Sequence, residues 1–134
     1  MVVWDRNKVV NSKGKLGGAE LKSLDLSGLD LSKANLISAN LVNANLKEVS
    51  LVGANLFSAK AMRTDFSGAN LSGVNFLKAN LTQANLKESN LNDADLTGAN
   101  LAETNLENAD LIRAKLVETN LLGANLIGTD FSEA

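Results

Sequence analysis

The sequence predicts an all-β solenoid, in which the chain winds into stacked coils around an apolar lumen. From Leu16 to Phe131, 23 of the 24 positions at five-residue spacing are Leu or Phe. A small residue usually stands two positions before each of them, and Asn or Asp stands one position before. The stretch Ala69-Asn70-Leu71-Ser72-Gly73 shows the unit. Because the repeat runs through most of the 134 residues, we expect one repetitive domain.

The five-residue period fits neither regular element. In an α-helix, Leu at every fifth position would step by about 140° and cover all faces. In a flat strand an odd period would send successive Leu residues to opposite faces. A chain that bends at every fifth residue directs every Leu inward. If four units make one coil, the 23 units between Ala19 and Phe131 make 23/4, or about six, coils stacked about 4.8 Å apart.

The two positions before each Leu have separate roles. The first is Ala in 14 of the 23 units, because a lumen packed at interior density leaves little room beside Leu. The second is Asn in 13 units and Asp in 6, residue types that favour turns and hydrogen-bond their own backbone. Ala61, the one small residue at a Leu position, predicts a gap in the lumen, which Ala61→Leu should fill with a gain in melting temperature.

This unit resembles the pentapeptide-repeat family, in which a small residue, Asp or Asn, and Leu or Phe precede two variable residues. The resemblance covers residues 19 to 131 and implies a right-handed quadrilateral β-helix. It also implies a bacterial, especially cyanobacterial, setting and no shared catalytic residues. Some members protect DNA gyrase as acidic rods that resemble DNA. We therefore divide the chain into an N-terminal cap and connector, residues 1–18, and a repeat β-helix, residues 19–134.

The two ends of the rod carry different expectations. In residues 1–18, apolar residues flank the polar stretch Asp5 to Lys8, which is typical of a hairpin or of a short helix. We expect this segment to cover the first coil, with Trp4 over the lumen. The last coil shows no cap, so either the final residues cover it or two rods meet end to end. We favour an end-to-end homodimer through the C-terminal coil.

Outward positions after the Leu residues carry two apolar columns at 20-residue spacing. We assign them to two neighbouring walls. The column on one wall holds Ile37, Phe57, Leu77 and Val117, and the column on the next wall holds Val42, Met62 and Leu122. An exposed apolar patch indicates an interaction surface for a protein partner. The alternative is that such residues only pack on their neighbours above and below. A third possibility is that the N-terminal segment folds down this wall and covers it. The sequence leaves all three interpretations open.

Composition disfavours catalysis. The chain has no Cys and no His, so the usual nucleophile–base pairs are missing. Asp93 and Asp95 are the nearest carboxylate pair, and we interpret them as turn formers rather than metal ligands. A smooth rod offers no pocket for a small-molecule substrate. We therefore predict no enzyme activity, no cofactor and no metal site.

Charge and hydropathy bear on the remaining partners. No apolar run approaches the roughly 20 residues of a membrane span, and no signal peptide is visible, so we expect a cytoplasmic protein without membrane contact. A basic surface interleaved with aromatic residues is lacking, which disfavours nucleic acid. Residues 1–63 carry nine basic and five acidic side chains, and residues 64–134 carry four and ten. The net charge of −6 in the second half makes a poor DNA mimic. We predict a non-catalytic binding or scaffold module, with a gyrase-directed DNA mimic and a self-assembling rod as alternatives.

Overall fold

The computed structural model describes residues 1–134 and begins with two short helices. Helix α1 spans Arg6–Asn11, and a 3₁₀ helix spans Lys13–Lys15. Asp5 caps α1, because its Oδ1 accepts a hydrogen bond of 2.8 Å from the Lys8 backbone N–H. Neither helix is long and apolar enough to cross a membrane. Of the two structures that the sequence left open for this segment, the chain forms the short helix.

The rest of the chain is a stack of coils joined by isolated parallel β-bridges. All 19 bridges join residues 20 positions apart, from Glu20 with Asn40 to Asp110 with Asp130. Each bridge involves one residue per coil, so the β-structure consists of single bridged residues rather than longer strands. The 20-residue separation corresponds to four five-residue units per coil. The segment therefore forms a β-helix.

A tight turn separates each bridged residue from the next. In the turn that follows Leu36, the Ala39 N–H donates to the Leu36 carbonyl at 3.0 Å. The second residue after each Leu lies in the left-handed region, with φ between +54° and +72° at all 24 such positions. Eight are glycines and 16 are not. Sequence reasoning missed this requirement, although eight of the ten glycines fall at that position in the repeat.

The lumen is filled by one apolar cluster of 36 buried residues. Ala61 is fully buried in it, and Phe66 and Phe76 project from the two walls that flank the Ala61 wall. Their rings meet edge to face, with centroids 5.9 Å apart and planes at 75°. The two surface concavities lie elsewhere, and neither adjoins Ala61. Two larger aromatic side chains thus lie on the walls beside Ala61, where the sequence suggested a gap, and they supply side-chain volume to this part of the lumen.

The two ends of the rod differ in whether the backbone groups that face away from the stack form hydrogen bonds. Arg6 Nη1 donates to the carbonyl oxygens of Asp25 and Ser27 at 3.1 and 3.0 Å. These are the carbonyl positions that accept N–H groups from the preceding coil elsewhere, so Arg6 replaces a coil at this end. Trp4 is partly buried against the core, as the sequence suggested. In the last coil the N–H groups of Leu116 and Leu121 have no backbone acceptor.

Candidate protein-binding wall

The two apolar columns predicted from the sequence border a single wall of the rod. The bridged residues of this wall form a ladder that includes Asn40, Lys60 and Asn80. Turns at residues 37–38 and 42–43 lie on either side of Asn40, and this arrangement repeats in every coil. The Ile37 column and the Val42 column therefore run along the two edges of one flat face. We call the part of this face that residues 37–43, 57–63 and 77–83 form the Lys60 wall.

Stacking between coils covers part of the apolar side chains on this wall. Ile37, Phe57 and Leu77 are half-buried, as is Met62. Val42 is only 8% exposed and offers almost no contact area. Packing on neighbouring coils thus accounts for part of the pattern, as one interpretation of the sequence proposed. The outer surfaces of Phe57, Leu77 and Met62 remain in contact with solvent.

Val117 and Leu122 belong to a different apolar surface. Thr97 separates Val117 from Leu77 along the column, and Val117 is 64% exposed. Leu122 is 78% exposed and Ile127 is 71% exposed, because no coil stacks above them. Together with Leu126 these residues form what we call the C-terminal patch. The candidate interface residues therefore divide between the Lys60 wall and the C-terminal patch.

Positive charge accompanies the apolar residues of the Lys60 wall. Lys60, Lys78 and Arg63 are exposed, and none of them forms an ion pair. Arg63 Nε donates instead to Asn43 Oδ1 at 3.0 Å. No carboxylate stands on this wall or at its corners between residues 37 and 83. The surface is consequently apolar and electropositive, which sequence reasoning missed because it counted charge by halves of the chain.

The backbone of the wall is fully used by the stacking. The Lys60 N–H donates to the Ala39 carbonyl at 2.9 Å, and the Lys60 carbonyl accepts from the Leu41 N–H at 2.7 Å. The same pattern repeats at Asn80 and Asn100. No free strand edge therefore lies along the wall, and a partner can be recognised only by side chains.

The Asn and Asp positions are structural, as the sequence predicted. In 18 of the 19 units with Asn or Asp, the side-chain Oδ1 accepts a hydrogen bond from the N–H two residues later. The exception is Asp110, where the Ile112 N–H donates to Asn92 Oδ1 at 2.9 Å. Each such bond forms part of a turn, so these side chains fix the coil shape.

The carboxylates of Asp93 and Asp95 are engaged separately. Arg113 Nε donates to Asp93 Oδ1 at 2.8 Å, and this hydrogen bond, followed by the charge of Arg113, lowers the pKa of Asp93. The Thr97 backbone N–H donates to Asp95 Oδ1 at 3.0 Å, and hydrogen bonding from Thr97 is the main cause of the lowered pKa of Asp95. The chain holds no group of three or more His, Cys, Asp or Glu residues arranged for a metal ion. The two carboxylates thus act in coil stacking and in a turn.

The repeat and its architecture are similar to those of known proteins. A family model described as pentapeptide repeats matches eight copies over residues 15–51, 50–88, 64–102, 89–121 and 104–134. No curated protein shows a significant match. Among solved structures, the pentapeptide repeat protein Rfr23 from the cyanobacterium Cyanothece 51142 is 29% identical, with a TM-score of 0.52. The match covers 85% of this chain and 88% of Rfr23.

Two further structures are similar over a smaller share of their length. QnrB1, a plasmid-mediated fluoroquinolone resistance protein, is 20% identical with a TM-score of 0.79, over 88% of this chain and 60% of QnrB1. HetL, involved in heterocyst differentiation regulation in Nostoc sp. strain PCC 7120, is 32% identical with a TM-score of 0.36, over 87% of this chain and 61% of HetL. The chain thus spans about three fifths of both proteins. With the family match across residues 15–134, the protein belongs to the pentapeptide-repeat family and is a right-handed β-helix.

Proposed function

We propose that this protein is a non-catalytic protein-binding module, a quadrilateral rod of about six coils whose Lys60 wall contacts a partner. One observation carries the proposal. Phe57, Leu77 and Met62 keep solvent-exposed surface beside Lys60 and Lys78, two cations without an ion pair. The 20-residue bridge separation supports four walls per coil.

The physical properties of the wall suit recognition. Aromatic side chains are effective anchors at interfaces, because they bury a large area with little loss of conformational freedom. Met side chains are flexible and adapt to the surface of the partner. Exposed cations speed the encounter with a partner of opposite charge. The rigid stack presents these groups without a change of backbone conformation, which reduces the entropy that binding would cost.

The test compares capture of partners by two triple-lysine variants from a lysate of the source cells. The wall variant carries Lys at Ile37, Phe57 and Leu77. The control variant carries Lys at Val52, Ser67 and Ser72, which stand at the same position of the repeat on other walls and are also half-buried. We expect the wild type and the control variant to capture a protein that the wall variant does not capture. Once purified, that protein should bind the wild type directly. Identical captures by both variants would contradict the proposal.

A second candidate function is end-to-end self-assembly through the C-terminal patch. Val117, Leu122 and Ile127 are the most exposed large apolar side chains outside the first three residues. Residues 132–134 are themselves exposed and leave Leu126 39% exposed. Sedimentation of the wild type should show a mass that rises with concentration, and Leu122→Lys/Ile127→Lys should remain monomeric. A monomer at every concentration would remove this candidate.

The DNA-mimic alternative has weaker support from the charges. Of the ten acidic side chains after residue 63, Asp93 and Glu107 are paired with Arg113 and Lys87. The Lys60 wall carries the opposite charge. A gyrase supercoiling assay with the purified protein should therefore show no change in activity, and inhibition or drug protection would revive this alternative.

A further inference from the structure

We infer that the partner of the Lys60 wall presents an amphipathic α-helix with an apolar stripe flanked by carboxylates. This inference rests on the proposed function and specifies the chemistry of the partner. Three properties of the wall carry it: its satisfied backbone, the length of its apolar edge, and its unpaired cations.

The satisfied backbone selects the secondary structure of the partner. The Lys60 N–H and carbonyl both bond to neighbouring coils, so an extended segment cannot add as a further strand on this face. A helix satisfies its own backbone groups and can dock through side chains alone. The partner therefore fits as a helix laid on the wall.

The apolar edge sets the length of the contact. Ile37, Phe57 and Leu77 stand in three successive coils, so the edge spans two coil spacings, or about 10 Å. Residues i, i+4 and i+7 of an α-helix span about 10 Å as well. A helix aligned with the rod axis can therefore place three successive apolar side chains against the edge.

The unpaired cations select the charge of the partner. Lys60 lies in the middle of the wall, and Lys78 lies beside the Leu77 edge in the next coil. Neither has an ion pair, and no carboxylate stands on the wall between residues 37 and 83. The nearest carboxylates of the same face, Glu20 and Glu103, lie in the coils below and above and accept hydrogen bonds from Asn40 and Gln83. Carboxylates that flank the apolar stripe of the helix would meet both cations.

The test uses two synthetic amphipathic peptides of about 20 residues, a length at which an Ala-rich peptide forms a helix in water. They share a Leu stripe and differ only in carrying Glu or Lys beside it. Binding of each labelled peptide to the full chain is measured by fluorescence anisotropy. We expect the wild type to bind the Glu peptide at least about tenfold more tightly than the Lys peptide.

Two charge-reversal variants locate the binding. Lys60→Glu/Lys78→Glu should reverse the preference, whereas Lys33→Glu/Lys47→Glu, with the same change of net charge on other faces, should keep it. Phe57→Ser/Leu77→Ser should bind neither peptide. Circular dichroism checks that each variant retains its fold.

Other outcomes overturn the inference. These are equal binding of both peptides, no binding of either up to about 1 mM, or an unchanged preference in Lys60→Glu/Lys78→Glu. Capture of the wild type by phosphatidylserine vesicles that the same variant loses would assign the wall to a membrane and overturn it too. The proposed function is judged independently, because the triple-lysine comparison in lysate makes no assumption about the charge or secondary structure of the partner.

Discussion

Replacing Ala61 by Leu should destabilise the protein, although every other position at this five-residue spacing from Leu16 to Phe131 holds Leu or Phe. Ala61 lies between the walls that carry Phe66 and Phe76, whose rings are already in contact at 5.9 Å. The substitution adds three carbons beside these two rings, and overpacking of this kind costs about 1–3 kcal/mol. Phe66→Leu alone should cost about 3 kcal/mol, from three lost carbons and the aromatic contact.

The double variant Ala61→Leu/Phe66→Leu separates overpacking from general damage to the coil. It recreates a layer of four Leu residues like that formed by Leu96, Leu101, Leu106 and Leu111, which are fully buried. Because Phe66→Leu removes three carbons beside position 61, it should relieve part of the overpacking, and the loss of stability in the double variant should be smaller than the sum of the two single losses.

Urea unfolding followed by far-ultraviolet circular dichroism measures the four proteins, with the midpoint reporting stability at constant slope. A single variant Ala61→Leu that is more stable than the wild type would refute the reasoning, since it would mean that the lumen has a gap after all. Additive losses in the double variant would refute it equally.

Three further predictions concern the turns, the cap and acid. Gly73→Ala should lower the free energy of unfolding by about 1 kcal/mol, because Gly73 has a φ of +64°, which is unfavourable for Ala. No atom would clash with the added Cβ, so the loss reports backbone strain alone. Gly14, whose φ is outside that region, is the control, and Gly14→Ala should not lower the free energy of unfolding in the same urea titration. Arg6→Ala should speed amide hydrogen exchange in the first coil and leave the Leu81 coil unchanged, because only the carbonyls of Asp25 and Ser27 lose a donor; equal acceleration in both coils would contradict a local cap. Hydrogen bonds from the Ser residues two positions later lower the pKa values of Asp25, Asp30 and Asp130 below the ordinary 3.8. The contribution of these carboxylates to folding stability is therefore present above pH 3.8 and is lost as the pH falls through the lower pKa values of the folded state. Asn at the three positions keeps the turn hydrogen bond without titrating, so the triple Asn variant should lose less stability in acid than the wild type.

The sequence predicted the parts of the fold that depend on one residue type at one spacing. Leu at every fifth position requires an inward side chain on every wall, and Asn or Asp before it supplies the turn acceptor that the structure shows at Asn40 and its equivalents. The short helix over Arg6–Asn11 could not be distinguished from a hairpin, because six residues are too few for a periodic pattern.

Features that depend on three-dimensional neighbours escaped sequence reasoning. Phe66 and Phe76 lie five and fifteen residues from Ala61, and their rings meet on the walls beside it only because of the coil geometry. The Ile37 and Val42 columns were assigned to two walls, whereas turns at their positions place them on the edges of one wall. Only the coil geometry shows that Lys60 and Lys78 lie beside the apolar side chains of that wall.

The most direct test of the proposed function places a photoreactive side chain on the Lys60 wall. Benzoylphenylalanine at Phe57 keeps the aromatic ring at the exposed edge, and the same residue at Ser72 stands at the equivalent turn position on another wall. After irradiation in a source lysate, we predict that the probe at 57 crosslinks to one discrete protein that the probe at 72 does not. No crosslink at 57, or the same products from both positions, would contradict the assignment of the Lys60 wall as the binding surface.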